Sequence, residues 1–340
     1  MSQKIDVGIG PMSLEVIDAI VDYANDFNKV IMLIASRNQI ETSRLDGGYV
    51  GGLTTQSFVE RVRARDGYGL IKICRDHSGP YLNAAEKNMD YTEAMHRTKI
   101  SLEDDILAGF DLIHIDPSSA PDPYKAGQSL FIHCLNTMYQ AGKRVQFEFG
   151  SEENVGVAAS AEKFEKDIKF ALDFVHPKYV VGQTGSLVKS VYQVGTFNED
   201  NVKRLVEIAN KYDVKLKEHN ADYLEAEDIQ KKIELGVGAI NIAPEFGTLQ
   251  TFIITSLADQ YGLDNELNNF KNTVIDGKKW QKWAWGDNFD DDLMYACAGH
   301  YHFTSDAYYR LVDKIEQESN WPIFDHVKLG VYNALGVYVQ

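Results

Sequence analysis

Cysteine is scarce in this 340-residue chain, which holds only Cys74, Cys134 and Cys297. An odd number of thiols with no CxxC spacing excludes a disulfide scaffold and a cysteine-built zinc or redox centre. Each lies in an apolar stretch and reads as a core thiol. Positive charge is also in short supply: 34 Lys and Arg stand against 50 Asp and Glu, a formal net charge of -16, and no basic run exceeds two residues. A phosphodiester backbone would meet a repulsive field, so nucleic acid is excluded as a partner. A small anionic substrate stays compatible, because donors inside a pocket outweigh a distant surface field that salt screens over about 8 Å. Long hydrophobic runs are missing as well. No window offers the ~18 uncharged apolar residues of a membrane-spanning helix, and the opening MSQKIDVGIGPM lacks the basic-then-apolar pattern of a signal peptide. A cytoplasmic protein without membrane contact is expected. What the chain does have, 44% hydrophobic and 25% charged residues, is enough for a large core.

Short apolar, β-branched runs recur along the sequence, and a helix-period segment follows nearly every one. That alternation belongs to a parallel sheet buried on both faces. Eight runs read as strands: Ile5–Ile9, Val30–Ala35, Leu70–Cys74, Leu112–Asp116, Val145–Phe149, Tyr179–Gly182, Val214–Glu218 and Ala239–Ile242. Ser13, Ser101 and Asn198 precede acidic residues at helix starts and read as N-caps. Eight βα units in about 240 residues predict an α/β fold of the (β/α)8 TIM-barrel type, whose usual span is ~250 residues. The rival doubly wound sheet would carry GxGxxG after its first strand, where VGIGPMS offers only part of that turn. The expected organisation is a barrel over residues 1–262 and a helical extension over 263–340, packed on the barrel and not an independent domain. The extension is aromatic, with Trp280, Trp283, Trp285, Tyr301, Tyr308 and Tyr309, and suits a cover for the barrel mouth or a subunit interface.

Barrel chemistry sits where the strands end, and those positions are rich in polar side chains. Ser36-Arg37-Asn38-Gln39 follows the second run, Arg75-Asp76-His77 the third, and Asp116 closes the fourth after His114. Glu148 lies on the fifth with Ser151-Glu152-Glu153 behind it, Gly182-Gln183-Thr184-Gly185 ends the sixth, and Glu218-His219-Asn220 the seventh. His77 and His219, from different strands, can meet over the barrel axis as ligands of one divalent metal, or as a hydrogen-bonded pair in a polar pocket. Glu152, then Gln183, are the candidates for a third ligand. Asp76 beside His77 is placed to move the proton of a substrate hydroxyl, with Glu152 as a second proton carrier or a ligand; a helix-capping or supporting role is the alternative for Asp76. Asn38, Asp116 and Gln183 are expected to contact substrate. Gly185-Ser186 and Gly247-Thr248 could present backbone N–H groups to a phosphate at helix starts. Gly47 to Gly52 can form a lid or a simple turn. His300 and His302 read as lid or interface residues.

Taken in order, several of these stretches resemble the Z-type subunit family of tagatose-bisphosphate aldolase, a branch of the class II, metal-dependent aldolase-like barrels. The matching segments are Asn38-Gln39 with Gly47-Gly48-Tyr49 and Gly51, Asp76-His77 with Gly79-Pro80, and Ile113 to Asp116. They continue with Gly150-Ser151-Glu152, Val180 to Gly185 around Gln183, Glu218-His219 with Asp222-Tyr223, and Pro244. The resemblance implies a sugar or sugar-phosphate substrate and a divalent metal, zinc first, with manganese or cobalt as alternatives. Class II aldolases hold zinc with three histidines, one of them following the catalytic aspartate. Asp76-His77 and His219 sit where two would be, and Gln183 takes the region of the third. The family also includes subunits that stabilise a separate aldolase partner, and relatives that resemble ketose or ketose-phosphate 4-epimerases. The implied function is therefore an aldolase or a retro-aldol epimerase working on the C3–C4 bond through a metal-stabilised enediolate. The alternative is a non-catalytic stabilising subunit, and a homo-oligomer is expected in either case.

Overall fold

Why the runs become one closed sheet is visible in their pairing. The computed structural model describes residues 4–151, 156, 158–286 and 289–339. Its barrel strands are β1 (Asp6–Ile9), β2 (Ile31–Ser36), β3 (Ile71–Ser78), β4 (Leu112–Ile115), β5 (Gln146–Phe149) and β6 (Tyr179–Val181). A hairpin outside the barrel, β7 (Val188–Lys189) and β8 (Tyr192–Gln193), precedes the last two barrel strands, β9 (Lys215–Glu218) and β10 (Ala239–Ile242). The order around the barrel is β1-β10-β9-β6-β5-β4-β3-β2, and every neighbouring pair is parallel. Closure rests on β1 against β10, with Asp6 opposite Ala239 and Ile9 opposite Ile242. The (β/α)8 barrel expected from the sequence is the fold.

The crossover helices are α1 (Leu14–Phe27), α2 (Thr55–Arg65), α3 (Tyr91–Ala108), α4 (Pro123–Ala141), α5 (Ala161–Leu172), α6 (Glu199–Lys211), α7 (Ala226–Leu235) and α8 (Pro244–Gln260). Ser13 and Asn198 cap α1 and α6 through their side chains. Ser101 does not cap: α3 starts at Asp90, whose carboxylate accepts the Glu93 N–H, and Ser101 lies buried in mid-helix, donating to Glu41 at 2.7 Å. The polar first turns of α3 hid its true start. β3 runs four residues past its expected end.

Each strand buries two faces. Outward side chains such as Ile9, Leu33, Ile73 and Ile240 join the layer under the helices. Met32, Ile34, Cys74, Leu112, Tyr179 and Ala239 form a smaller cluster inside the barrel, from the N-terminal and middle parts of their strands. That plug leaves only the C-terminal ends open to polar chemistry. All three thiols are buried and free.

Beyond the barrel lie α9 (Asp264–Asp276), α10 (Asp291–Ala298), α11 (Asp306–Ser319) and α12 (Ile323–Tyr338). Phe270 on α9 packs edge-on against Tyr295 and Tyr308, and α12 returns to α1, where Lys328 pairs with Asp22 at 2.7 Å and Tyr332 donates to Asp26 at 2.5 Å. Among the described residues, no helix is long and apolar enough to cross a membrane.

Candidate metal and sugar site

The site begins with a bulge. The register between β3 and β4 shifts between Arg75 and Ser78, and His77 takes φ 51°, a left-handed conformation that costs a non-glycine residue about 1–3 kcal/mol. Neighbours hold it there. Fully buried Arg75 pairs with Asp105 at 2.6 Å and donates to the carbonyls of Ala35 and Ile40, while the Ser78 hydroxyl donates to the His114 carbonyl at 2.7 Å. The bulge swings Asp76 and His77 together over the mouth, where a regular strand would send them to opposite faces.

Three imidazoles then converge from β3, β4 and the end of β9. The ring centroids of His77, His114 and His219 lie 4.8 to 5.2 Å apart. Their ligand-type nitrogens fall within 4.8 Å of one another, as do the ligand atoms of a second set made of Asp76, His114, Glu148 and His219. His77 Nε2 faces His219 Nδ1 at 3.1 Å. Two nitrogens bound to a tetrahedral cation at about 2.0–2.1 Å would stand roughly 3.4 Å apart, so this pair is already close to a coordination edge. The other nitrogen of each ring meets a carboxylate: His77 Nδ1 with Asp116 at 2.6 Å, His219 Nε2 with Glu148 at 2.8 Å. Carboxylates placed this way fix tautomer and ring orientation in metal-binding histidines. His114 accepts the His77 backbone N–H at Nδ1, and its Nε2 is buried with no hydrogen-bond partner among the described residues. Three converging imidazoles, two of them backed by carboxylates, with the Asp76 carboxylate beside them are a donor set that fits a divalent cation.

Charge in the cluster is nearly balanced internally. Burial works against ionisation of Asp76, but His77, His219 and His114 outweigh it and hold the carboxyl well below the usual range. Asn241 on β10 donates to Asp76 Oδ1 at 3.1 Å. Burial likewise opposes a charge on His77, yet Asp76 and Asp116 raise the imidazole to about 9. Its side chain keeps 43% exposure, so it faces the open mouth. Burial lowers His219. Glu148, desolvated in the barrel, is kept ionised chiefly by Lys217, whose fully buried ammonium donates to it at 2.6 Å. A relay of polar contacts therefore runs Lys217, Glu148, His219, His77, Asp116.

Of the residues singled out in the sequence, Asp76, His77, His219 and Asp116 come together here. Asn38 does not: its amide donates to the Leu82 carbonyl and accepts the Ala84 N–H, tying the loop after β2 to the loop after β3. Gln183 is buried at the end of β6, and its side chain makes no hydrogen bond to the described residues. Glu152 lies outside the described residues. Gly185-Ser186 do not open a helix, because the β7–β8 hairpin follows β6; Ser186 instead donates to the His219 carbonyl at 3.2 Å. Gly247 is packed against the His300 ring, where a Cβ would collide, and Thr248 is a buried acceptor for the Tyr223 hydroxyl. His114, Glu148, Lys217 and Asn241 were not assigned roles from sequence. The signal was there: a charged or imidazole side chain inside a strand whose two faces are both buried must point into a polar interior.

No family model matches the chain, and no curated protein matches it. Solved structures do. A probable tagatose 6 phosphate kinase from Sinorhizobium meliloti 1021 superposes with a TM-score of 0.78 at 15% identity, covering 98% of this chain and 99% of that one. A fructuronate-tagaturonate epimerase from Cohnella laeviribosi gives 0.62 at 12% identity over 99% of this chain and 81% of that one. A fructose-bisphosphate aldolase from Campylobacter jejuni gives 0.58 at 12% over 98% and 88%. At such identities the likeness is one of fold, and in fold it agrees with the class II aldolase-like resemblance read from the sequence.

Proposed function

We propose that this protein is a metal-dependent aldolase or retro-aldol epimerase acting on a ketose or ketose phosphate. The observation that carries the reading is the convergence of His77, His114 and His219 with Asp76 at the open end of the barrel. Three imidazoles would hold the ion, His77 giving up its extra proton on binding, and Glu148 and Asp116 would orient two of them from behind. A divalent cation there, zinc by its preference for nitrogen ligands, supplies Lewis acidity to a bound ketose carbonyl. Asp76 is the group that takes the proton from the hydroxyl at the carbon being cleaved or inverted, and later returns it. Asn241 donates to that carboxylate and positions it. Solved barrels named as aldolases and as an epimerase share the fold, which supports sugar carbon–carbon chemistry. Residues 263–340 serve this reading as an extension of the barrel and not an independent domain, since α12 docks on α1 and α10 on α8. The test is metal analysis of purified protein together with turnover of a panel of ketoses and their phosphates, with Asp76→Asn as the nearly isosteric control. Wild type should carry divalent metal and turn over at least one substrate, and Asp76→Asn should lose about 10²–10⁴-fold in rate while retaining metal. A metal-free protein without turnover would refute the assignment.

A further inference from the structure

The C-terminal extension does more than pack on the outer helices. Two of its 3-10 turns, Lys279–Lys282 and Gly299–His302, reach the rim formed by the loops that follow the strands. The Trp283 carbonyl accepts the Ser190 N–H from the loop after β6, His300 lies on Gly247 after β10, and the Tyr301 ring packs at a tilt against Tyr49 in the loop after β2, with centroids 5.0 Å apart. β2 and β6 stand on opposite sides of the barrel, so this segment follows half the circumference of the mouth. On it sits an exposed cation flanked by two aromatic rings. The Lys282 ammonium lies 4.5 Å from the Trp283 ring and 5.0 Å from the Tyr301 ring, and it makes no ion pair with any described carboxylate. Lys282 is exposed, and partial desolvation by the neighbouring rings lowers its ammonium from the ordinary lysine value. Beside it, the Trp283 indole N–H is buried next to Tyr301 without an acceptor that completes a hydrogen bond.

We propose that Lys282, with Trp283 and Tyr301 as its platform, is the anion-recognition residue of the active site, receiving the phosphate or carboxylate group of the substrate sugar. The assignment rests on the sugar-enzyme reading above and moves the expected anion site from the glycines after β6 and β10 to the extension. An aromatic platform restricts the lysine to few rotamers, and an incoming anion would supply a charge partner at a preset position. In a protein of net charge -16, this also gives the mouth a local positive point that separates anionic sugars from neutral ones.

The test uses protein dialysed against chelator, so that neither a bound metal nor turnover enters the measurement. Calorimetric titration with inorganic phosphate and with acetate is run on wild type, on Lys282→Met, and on Lys203→Met as a distant-lysine control. Wild type and Lys203→Met should bind at least one anion, and Lys282→Met should bind it about tenfold or more weakly. The anion bound more tightly identifies the substrate class. Absence of binding by both anions in wild type, or equal binding in Lys282→Met, overturns the proposal. The sugar-enzyme reading is judged separately, by metal content and turnover. If turnover is found, Lys282→Met should raise KM for anionic sugars and leave kcat and neutral sugars unchanged.

Discussion

Removing His114 separates a three-histidine centre from the two-histidine pair that the sequence suggested. His114→Ala deletes the ring whose Nε2 has no described partner and leaves the Asp116–His77 and Glu148–His219 pairs in place. A ligand at 100 times its Kd stabilises the folded state by about 2.7 kcal/mol. With an unfolding entropy of about 2.1 cal/mol/K per residue, 340 residues give roughly 0.7 kcal/mol/K, so saturating zinc should raise the wild-type Tm by about 4 °C. If losing one ligand weakens binding about 100-fold, the same zinc concentration equals the new Kd and contributes only about 0.4 kcal/mol, a shift below ~1 °C. The assay is a thermal melt of chelator-dialysed protein with and without zinc, paired with metal analysis after dialysis and far-UV circular dichroism to establish folding. His176→Ala, an exposed histidine at the other end of the barrel, should behave as wild type. A folded His114→Ala protein that keeps the full zinc-induced shift and wild-type metal content would refute the three-histidine centre.

Three further outcomes test the supports of the site. Lys217→Met strands the Glu148 carboxylate in the barrel and should cost about 3–5 kcal/mol in urea unfolding, with Lys217→Met/Glu148→Gln recovering part of it; equal stability of single and double variants would contradict the pairing. Gly79→Ala places a methyl group against the Asp116 carbonyl, so it should destabilise by about 1–3 kcal/mol and weaken zinc binding by disturbing the carboxylate behind His77; an unchanged zinc titration would argue against that coupling. Asp222 is raised to about 8 by burial and by Glu245. Its proton is retained on folding but lost on unfolding above about pH 4, so its contribution falls as pH rises from there toward 8. Asp222→Asn keeps an acceptor for the Ala243 and Glu245 N–H groups without the charge, and its Tm advantage over wild type should widen between pH 5 and pH 8; a constant difference would refute the sign.

The barrel was legible because its evidence is local: β-branched runs and capped amphipathic helices alternate along the chain, and Ser13 and Asn198 act where their side chains predict. The β3 bulge was not, since it depends on Arg75 reaching Asp105 on α3 and Ser78 reaching the His114 carbonyl, pairings made by residues 30 and 36 positions apart. Without the bulge, His77 read as one of two histidine ligands beside Glu152 or Gln183, and His114 was given no role. The surroundings of the expected anion-binding glycines were not legible for a related reason. Glycines after β6 and β10 suggested open backbone, but one is followed by a hairpin and the other is covered by His300 from the extension. Charge complementarity between Lys217 and Glu148, 69 residues apart, likewise exists only in the closed barrel.

Barrel closure through β1 and β10 sets a schedule for the growing chain. β1 acquires one neighbour, β2, almost at once, but its other edge stays open until residues 239–242 have been made. At about 5–20 residues per second, translation of the intervening stretch takes roughly 10–50 s. Throughout that interval the first strand offers unpaired N–H and C=O groups beside the apolar side chains of Val7 and Ile9, a template for pairing with another nascent chain. Synthesis from closely spaced ribosomes should therefore favour aggregation. A circular permutant that begins at the turn before β10 puts about 100 residues between β10 and β1 in place of about 230, so that seam should form earlier in synthesis.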